Sequence, residues 1–484
     1  MTTPTPERQP LFLAGEYTEG TGDGTFDVIS PATGERVGVL PLPSAADLDT
    51  AVAAAHRAQR SWAGVNVWDR AAVCHRIADG IDGMREELAR LQTLEQGKPL
   101  AESVADVTEA AQLFRLHAED AVRLGGETLL SRDSSKRMFT FHRPVGTWGI
   151  ITPWNFPLLM FAEFAAPGLA TGNALVVKPP AHTPLTVLRA MEALTAAALP
   201  PGLVSVLPGD GGFGDALVRH PGVHAIGFIG SSATGARIQA AAGLKRSLME
   251  CSGNGPLVVL ADADVAAAAR AAVDGAYPCA GQVCCATERV VVHREVHDEF
   301  VAAVLRESER VVLGDPLAPG TLLGPLNNEA VAAKMDRHLA DARERGAKVL
   351  LGGGRRAGMP TDLYYEFTVV DEVPKDSLLA REESFGPVVP VITGTDEDDL
   401  LRIANDDALG LQGAVFTRSM KSAFRFVEEM AVGQVVVNET NNWWDITMPF
   451  GGAGGRGTGW GRIGGKWTLL DMTDLRTGVI NLSD

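Results

Sequence analysis

Between residues 146 and 260 the chain alternates short apolar runs with stretches of helical pattern. "GTWGIIT", "ALVVK", "LVSVL", "AIGFIG" and "LVVL" are each followed by a turn and a helix-like segment. Runs this short and this rich in Val, Ile and Leu suit strands buried on both faces of a sheet. Regular strand–helix alternation points to βαβ units, because parallel strands need a long crossover to return to the same end of the sheet. A second α/β rhythm runs from roughly 262 to 440, with strand-like "ERVVVH" and "GQVVVN". The fold class is therefore α/β, with at least two such units.

The flanks have another texture. Residues 44–61 read as a helix opened by Ser44 as N-cap, and helical patterns follow over 69–95 and 101–122. Residues 127–146 look like a hairpin around the polar turn Asp133-Ser134-Ser135, and "LRTGVINL" closes the chain as a strand. That hairpin and last strand have two available partners: each other, or another subunit. A Gly-rich stretch, "PFGGAGGRGTGWGRIGG", spans 449–465.

Composition narrows the class of function. With 484 residues the chain can bury two or three cores. Its net charge of −17 argues against nucleic acid or an anionic membrane surface as a partner. The first ten residues are polar, with no apolar run of a secretory signal behind them. The most apolar stretch, 157–177, contains Glu163, Pro167 and Asn173, so it reads as buried helix and strand rather than a membrane span. Five cysteines at irregular spacing describe no disulfide framework, and a reducing, cytoplasmic setting is expected.

Two glycine patterns compete for a phosphate. "GDGGFG" (209–214) has the G-x-G-x-x-G form, but no acidic residue stands roughly 20 positions on. Instead "HAIGFIGSSATG" occupies that place, where Gly230, Ser231 and Gly235 mark the turn from a strand into a helix. Free backbone N–H groups and the helix dipole favour a phosphate there. The other local oddity is "GQVCCATERVVV", with Cys284 and Cys285 adjacent. No histidine lies close enough in sequence to suggest a Cys–His pair, and metal-ligand spacing is lacking, so no metal is expected. Taken alone, the pair fits core packing as well as chemistry.

The matches seen together decide more. "ITPWNFPLLM" (151–160), "ALVVKP" (174–179), "FIGSSATG" (228–235), "LMECSGNGP" (248–256), "GQVCCA" (281–286), "EESFGPV" (382–388) and "MPFGG" (448–452) occur in one order. In these stretches the chain resembles the aldehyde dehydrogenase superfamily, from about residue 11 to the C-terminus. The resemblance implies a Rossmann-like cofactor domain (1–126 and 145–252), a catalytic α/β domain (253–455) and a β oligomerisation arm (127–144 and 471–484). It also implies NAD(P)+-dependent oxidation of an aldehyde to its carboxylic acid, in a homodimer or homotetramer.

Residue by residue, the resemblance places the nucleophile at Cys284, the general base at Glu250 and an oxyanion donor at Asn155. Lys178 matches the lysine that reaches the adenosine ribose, with Thr152, Trp154, Gly230, Ser231 and Gly235 around the phosphates, which leaves "GDGGFG" as a nearby loop. Glu383 and Phe385 match the nicotinamide-ribose carboxylate and the aromatic beside the nicotinamide. Glu250 favours hydrolysis over transfer to coenzyme A, since acylating relatives commonly lack that glutamate. The intact trio argues against a catalytically idle relative.

The departures carry their own expectations. Where relatives often read K-P-x-E, Ala181 replaces the glutamate that would accept from the ribose hydroxyls, so both NAD and NADP are expected to work. Glu163 stands where many relatives have tryptophan or arginine, Phe164 where lysine is frequent, and Ile463 where an acid often follows the arginine of the Gly-rich loop. The expected substrate walls are Phe156, Leu159, Met160, Glu163 and Phe164 on one side, and Trp443, Trp444 and Phe450 on the other. Val283 and Cys285 flank the nucleophile. With Glu163 there and no arginine evident, an apolar or aromatic aldehyde is expected rather than succinate semialdehyde.

Overall fold

The computed structural model describes residues 8–483. Five parallel strands form the centre of a first sheet, in the spatial order Arg246–Glu250, Ala225–Ile229, Thr147–Ile151, Ala174–Lys178, Val204–Val206. The chain enters at Thr147–Ile151, winds outward to Val204–Val206, then crosses back to Ala225–Ile229. A crevice opens where the winding reverses, beyond the carboxyl ends of Thr147–Ile151 and Ala225–Ile229. Thr152–Phe156 and Gly230–Ser231 follow directly from those two ends. Both strands are buried throughout, which is why they read as continuous apolar runs rather than alternating ones.

A second sheet carries the other half, in the order Lys348–Leu351, Thr368–Asp371, Val388–Gly394, Thr287–His293, Gly255–Val259, Gln412–Phe416, Gln434–Val437. Only Lys348–Leu351 runs antiparallel. Each sheet has its own apolar core, one built mainly from residues before 252 and the other from 257–430. Cys279, Val283, Cys285 and Ala286 lie late in the sequence yet pack into the first core. This segment stitches the two halves together, and Cys284 sits inside it.

Local differences from the sequence reading have simple causes. The pattern over 69–95 is two helices, Val67–Gly83 and Arg85–Gln96, because Met84 leaves the helical region at φ −104°, ψ 6° after a flexible glycine. Ser44 does cap Ala45–Ala63, in a reciprocal capping box with Asp47. "GDGGFG" is not a loop but a helix start: Asp210 caps helix Gly211–Arg219 and residues 211–214 form its first turn. The hairpin and the last strand pair with each other: Thr473–Asn481 runs antiparallel to Lys136–Pro144, which also pairs with Thr128–Leu129. The Gly-rich stretch adds an edge strand, Gly459–Trp460, against Met249 and Glu250.

A buried polar knot holds the junction. Arg289 donates to the carbonyls of Asn254, Ile403 and Ala404 and lies 3.5 Å from Asp407, the two side chains being 3% and 1% exposed. Asp407 in turn accepts from Asn254 Nδ2 at 2.6 Å. The loop after Glu250 is thereby tied to the second sheet. Removing one partner of a buried pair strands the other charge, at a cost of about 3–5 kcal/mol. Arg289→Ala is expected to lose stability on that scale, read as a lowered urea midpoint with an unchanged slope.

Candidate active site

Segments from both sheets meet around one cavity of about 390 Å3. Asn155 and Trp154 reach it from the first crossover, Gly230 and Ser231 from the second, Glu250 from the end of its strand, and Cys284 from the bridging segment. Residues separated by more than a hundred positions thus face one space.

The loop bearing Cys284 is shaped before it is reactive. Cys279, Ala280 and Gly281 all have positive φ, and a Cβ on Gly281 would lie 2.1 Å from the Gly386 carbonyl oxygen. Only glycine fits there. The Gln282 side chain donates to Cys279 O at 2.6 Å and accepts from Asn327 N at 2.8 Å, closing the loop on itself and pinning it to the second half. On the facing segment, a Cβ on Gly253 would stand 2.2 Å from the Cys284 carbonyl oxygen, so the glycine lets the chain leaving Glu250 pass against the Cys284 backbone.

Electrostatics at the centre are set by desolvation. Burial pushes Glu250 up to about 8; the Cys284 thiol pulls it back and the Glu383 carboxylate adds to the rise. Contact with the Cys285 thiol, burial and the Glu250 carboxylate hold Cys284 well above the ordinary thiol range. One Glu250 carboxylate oxygen, Oε2, has no partner among the described residues, although the residue is 3% exposed. Asn155 donates one Nδ2 hydrogen to Gln282 O at 2.9 Å, which fixes the amide and leaves its second hydrogen uncommitted. The Cys284 backbone N–H likewise has no partner among the described residues. Cys285 is buried, with Sγ 3.8 Å from Asn442 Oδ1.

One end of the cavity has the features of a dinucleotide cradle. Trp154 and Phe385 meet edge to face at 5.5 Å. Glu383 accepts from Ser252 Oγ at 2.8 Å and Gly253 N at 3.1 Å, while Lys334 Nζ stands 5.7 Å from the Phe385 ring centre. Ser231 lines the same cavity with Gly230 and caps helix Ser232–Ala242, and Gly235 is buried in the first turn of that helix. Lys178 lies outside the cavity at the neighbouring strand end; burial lowers it to about 8 and Asp210 pulls it back up. Thr152 donates its N–H to the Lys178 carbonyl, and Ala181 is exposed. This arrangement fits NAD(P)+: a helix N-terminus for the pyrophosphate, a carboxylate for a ribose and an aromatic ring beside the cysteine.

At the other end, Phe156, Leu159, Met160, Val283, Cys285, Trp444 and Phe450 form the wall, joined by Ile463. Three expected wall residues are not brought there. Glu163 lies one helical turn beyond Met160 and is fully buried, Phe164 is 1% exposed and packs over Gly227, and Trp443 is 47% exposed. Glu163 has no hydrogen-bond partner among the described residues for either carboxylate oxygen; burial, then Glu250 and Glu109, raise it to about 8.

Sequence reasoning missed Gln282, Lys334 and Glu288. Glu288 accepts from the N–H groups of Ser384 and Phe385 at 2.9 and 2.8 Å, and so orients "EESFGPV". An acid heading the apolar run "RVVV" was the available signal, since a charge in a buried strand needs a partner. Asp106 and Glu109, also in the cavity wall, gave no signal, because on an amphipathic helix they look like solvent-facing acids.

The family model described as the Aldehyde dehydrogenase family matches residues 17–477. The chain is 36% identical over 469 residues to the mitochondrial succinate-semialdehyde dehydrogenase of Arabidopsis thaliana, covering 96% of this chain and 88% of that one. It is 33% identical to the NADP+ succinate-semialdehyde dehydrogenase GabD of Escherichia coli K12, covering 98% of each. The crystal structure of succinate-semialdehyde dehydrogenase from Burkholderia pseudomallei superposes with a TM-score of 0.95 at 34% identity, over 99% of both chains. With Cys284, Glu250 and Asn155 converging on one cavity beside a dinucleotide cradle, and with this likeness along nearly its whole length, the chain belongs to the aldehyde dehydrogenase family.

Proposed function

We propose that this protein oxidises an aldehyde to the free carboxylic acid with NAD or NADP, through a covalent intermediate on Cys284. The observation that carries the reading is the shared enclosure of Cys284, Glu250 and Asn155. The Cys284 thiolate attacks the aldehyde carbon, and the resulting oxyanion is met by the free Asn155 N–H and the unpartnered Cys284 backbone N–H. When bound, NAD(P)+ supplies the hydride acceptor. The acyl group left on Cys284 is a thioester. Glu250, which lines the cavity, takes a proton from water as that water attacks the thioester.

Apart from Asp106 and Glu109 the substrate wall is aromatic and aliphatic, and among the described residues no arginine lines it. A substrate whose body is apolar or aromatic fits that wall, whereas the terminal carboxylate of succinate semialdehyde, named for the relatives, has no guanidinium to hold it there. The arm Lys136–Pro144 and Thr473–Asn481 exposes Phe139, Leu475, Val479 and Ile480, an apolar surface suited to joining copies of the chain in a homodimer or homotetramer. Among the described residues no helix is long and apolar enough to cross a membrane, and a reducing cytoplasm suits a reaction that needs a free thiol.

The two adjacent thiols separate by variant. Cys284→Ala is expected to abolish both aldehyde oxidation and alkylation by iodoacetamide, while Cys285→Ala keeps most of each; a dead Cys285→Ala with an active Cys284→Ala would refute the assignment.

Acylation and deacylation separate by Glu250→Gln. This variant is expected to release one equivalent of reduced cofactor in a burst, then turn over roughly 100-fold more slowly. A base must be deprotonated to act, so wild-type kcat is expected to rise with pH through about 8, the value to which burial raises Glu250. The variant's slow rate should lose that rise.

Cofactor choice turns on Ala181. An exposed alanine beside Lys178 offers neither an acceptor for the ribose hydroxyls nor a charge to repel a 2′-phosphate. Steady-state kinetics are expected to give NADP+ within about tenfold of NAD+ in kcat/KM, a gap of roughly 1.4 kcal/mol. Ala181→Glu should swing the enzyme strongly to NAD+.

A further inference from the structure

We propose that the substrate end of the cavity selects aldehydes bearing an ammonium-type cation on the carbon chain. The proposal rests on the reading of this cavity as an aldehyde site and narrows what enters it. The relevant wall comes from helix Leu100–Ala121, whose Ala105, Asp106 and Glu109 face the same space as Met160 and Trp444.

The charges on that wall do not cancel. Lys98 is fully buried, 2.5 Å from Asp106 Oδ2 and with its ammonium 3.6 Å from the Phe156 ring centre. It neutralises Asp106 and lies outside the cavity lining. Glu109 is half-buried, and among the described residues its side chain has neither an ion pair nor a hydrogen bond. The charged groups that bear on it, Asp106 and Asp445, are both acidic, and Glu163 sits fully buried behind the wall with both oxygens unpartnered. Among the described residues Lys334 is the one basic residue in the lining, and it stands over Phe385 at the cofactor end.

A substrate's far end therefore meets an uncompensated carboxylate in a largely apolar enclosure. A terminal carboxylate would face like charge, and an uncharged chain would leave Glu109 partly desolvated and unpaired. A cation supplies the missing counter-charge. It also finds the rings of Trp444 and Phe450 in the same wall, which attract cations through their π faces.

The test pairs two aldehydes of one shape, 4-(trimethylammonio)butanal and 5,5-dimethylhexanal, which differ only in nitrogen against carbon at the branch point. We expect kcat/KM to favour the cation at least tenfold, about 1.4 kcal/mol. Glu109→Gln should bring the ratio towards one, and Glu109→Lys should reverse it. Binding is read separately, as protection of Cys284 from iodoacetamide by the two corresponding alcohols in the wild-type protein. Half-protection at a tenfold lower concentration of the cationic alcohol supports the proposal even if neither aldehyde is oxidised, in which case the catalytic reading falls alone. Equal or better use of the neutral aldehyde, or equal protection by both alcohols, overturns the proposal and leaves the catalytic reading standing.

Discussion

Desolvation of Glu250 and Cys284 in one enclosure is the constraint on which this site depends. Both groups prefer their neutral forms there, because each charge would be taken out of water next to another acid. The same enclosure that makes ionisation costly makes every fixed donor count for more, since an oxyanion in a dry cavity has no water to fall back on. The free N–H groups of Asn155 and Cys284 are useful only under that condition. The rest of the architecture can be understood as what is required to keep those groups together and dry.

Two independent cores must be held in register to do so. The first sheet places Asn155 and Ser231 at its switch point by winding alone, since both follow directly from strand ends. Cys284 arrives from the other half, on a loop whose residues 279–281 have positive φ and whose backbone is latched by Gln282. Arg289, Asp407 and Asn254 tie the return path after Glu250 to the second sheet. These polar contacts are buried and directional, which makes them specific in a way apolar packing between the halves would not be.

The substrate end shows how a substitution can move without being lost. Phe164 and Ile463 stand where relatives often carry a lysine and an acid. Here both are apolar and buried, Ile463 in the cavity wall and Phe164 over the sheet. Negative charge instead enters through Glu109 on the wall, while burial pushes Glu163 behind it up to about 8. The polarity of the cavity is thus a property of several helices together.

What the sequence by itself determined was what depends on local order. Apolar runs bounded by turns located the parallel strands, Ser44 located a helix start, and the linear motifs named Cys284, Glu250, Asn155, Glu383 and Phe385, because each is set by its immediate chain neighbours. Local order also misled where a neighbour matters more than a pattern. It joined two helices across Met84, left "GDGGFG" as a loop, and put Glu163, Phe164 and Trp443 on a wall that their helix and loop carry them past. Only the tertiary structure decided which acids are buried against which. Glu288 holds up Phe385 across 97 positions, and Asp106 and Glu109 face the cavity only because their helix packs beside Pro157–Ala170. A side chain's charge and solvation depend on what surrounds it in space, and sequence spacing carries almost none of that information.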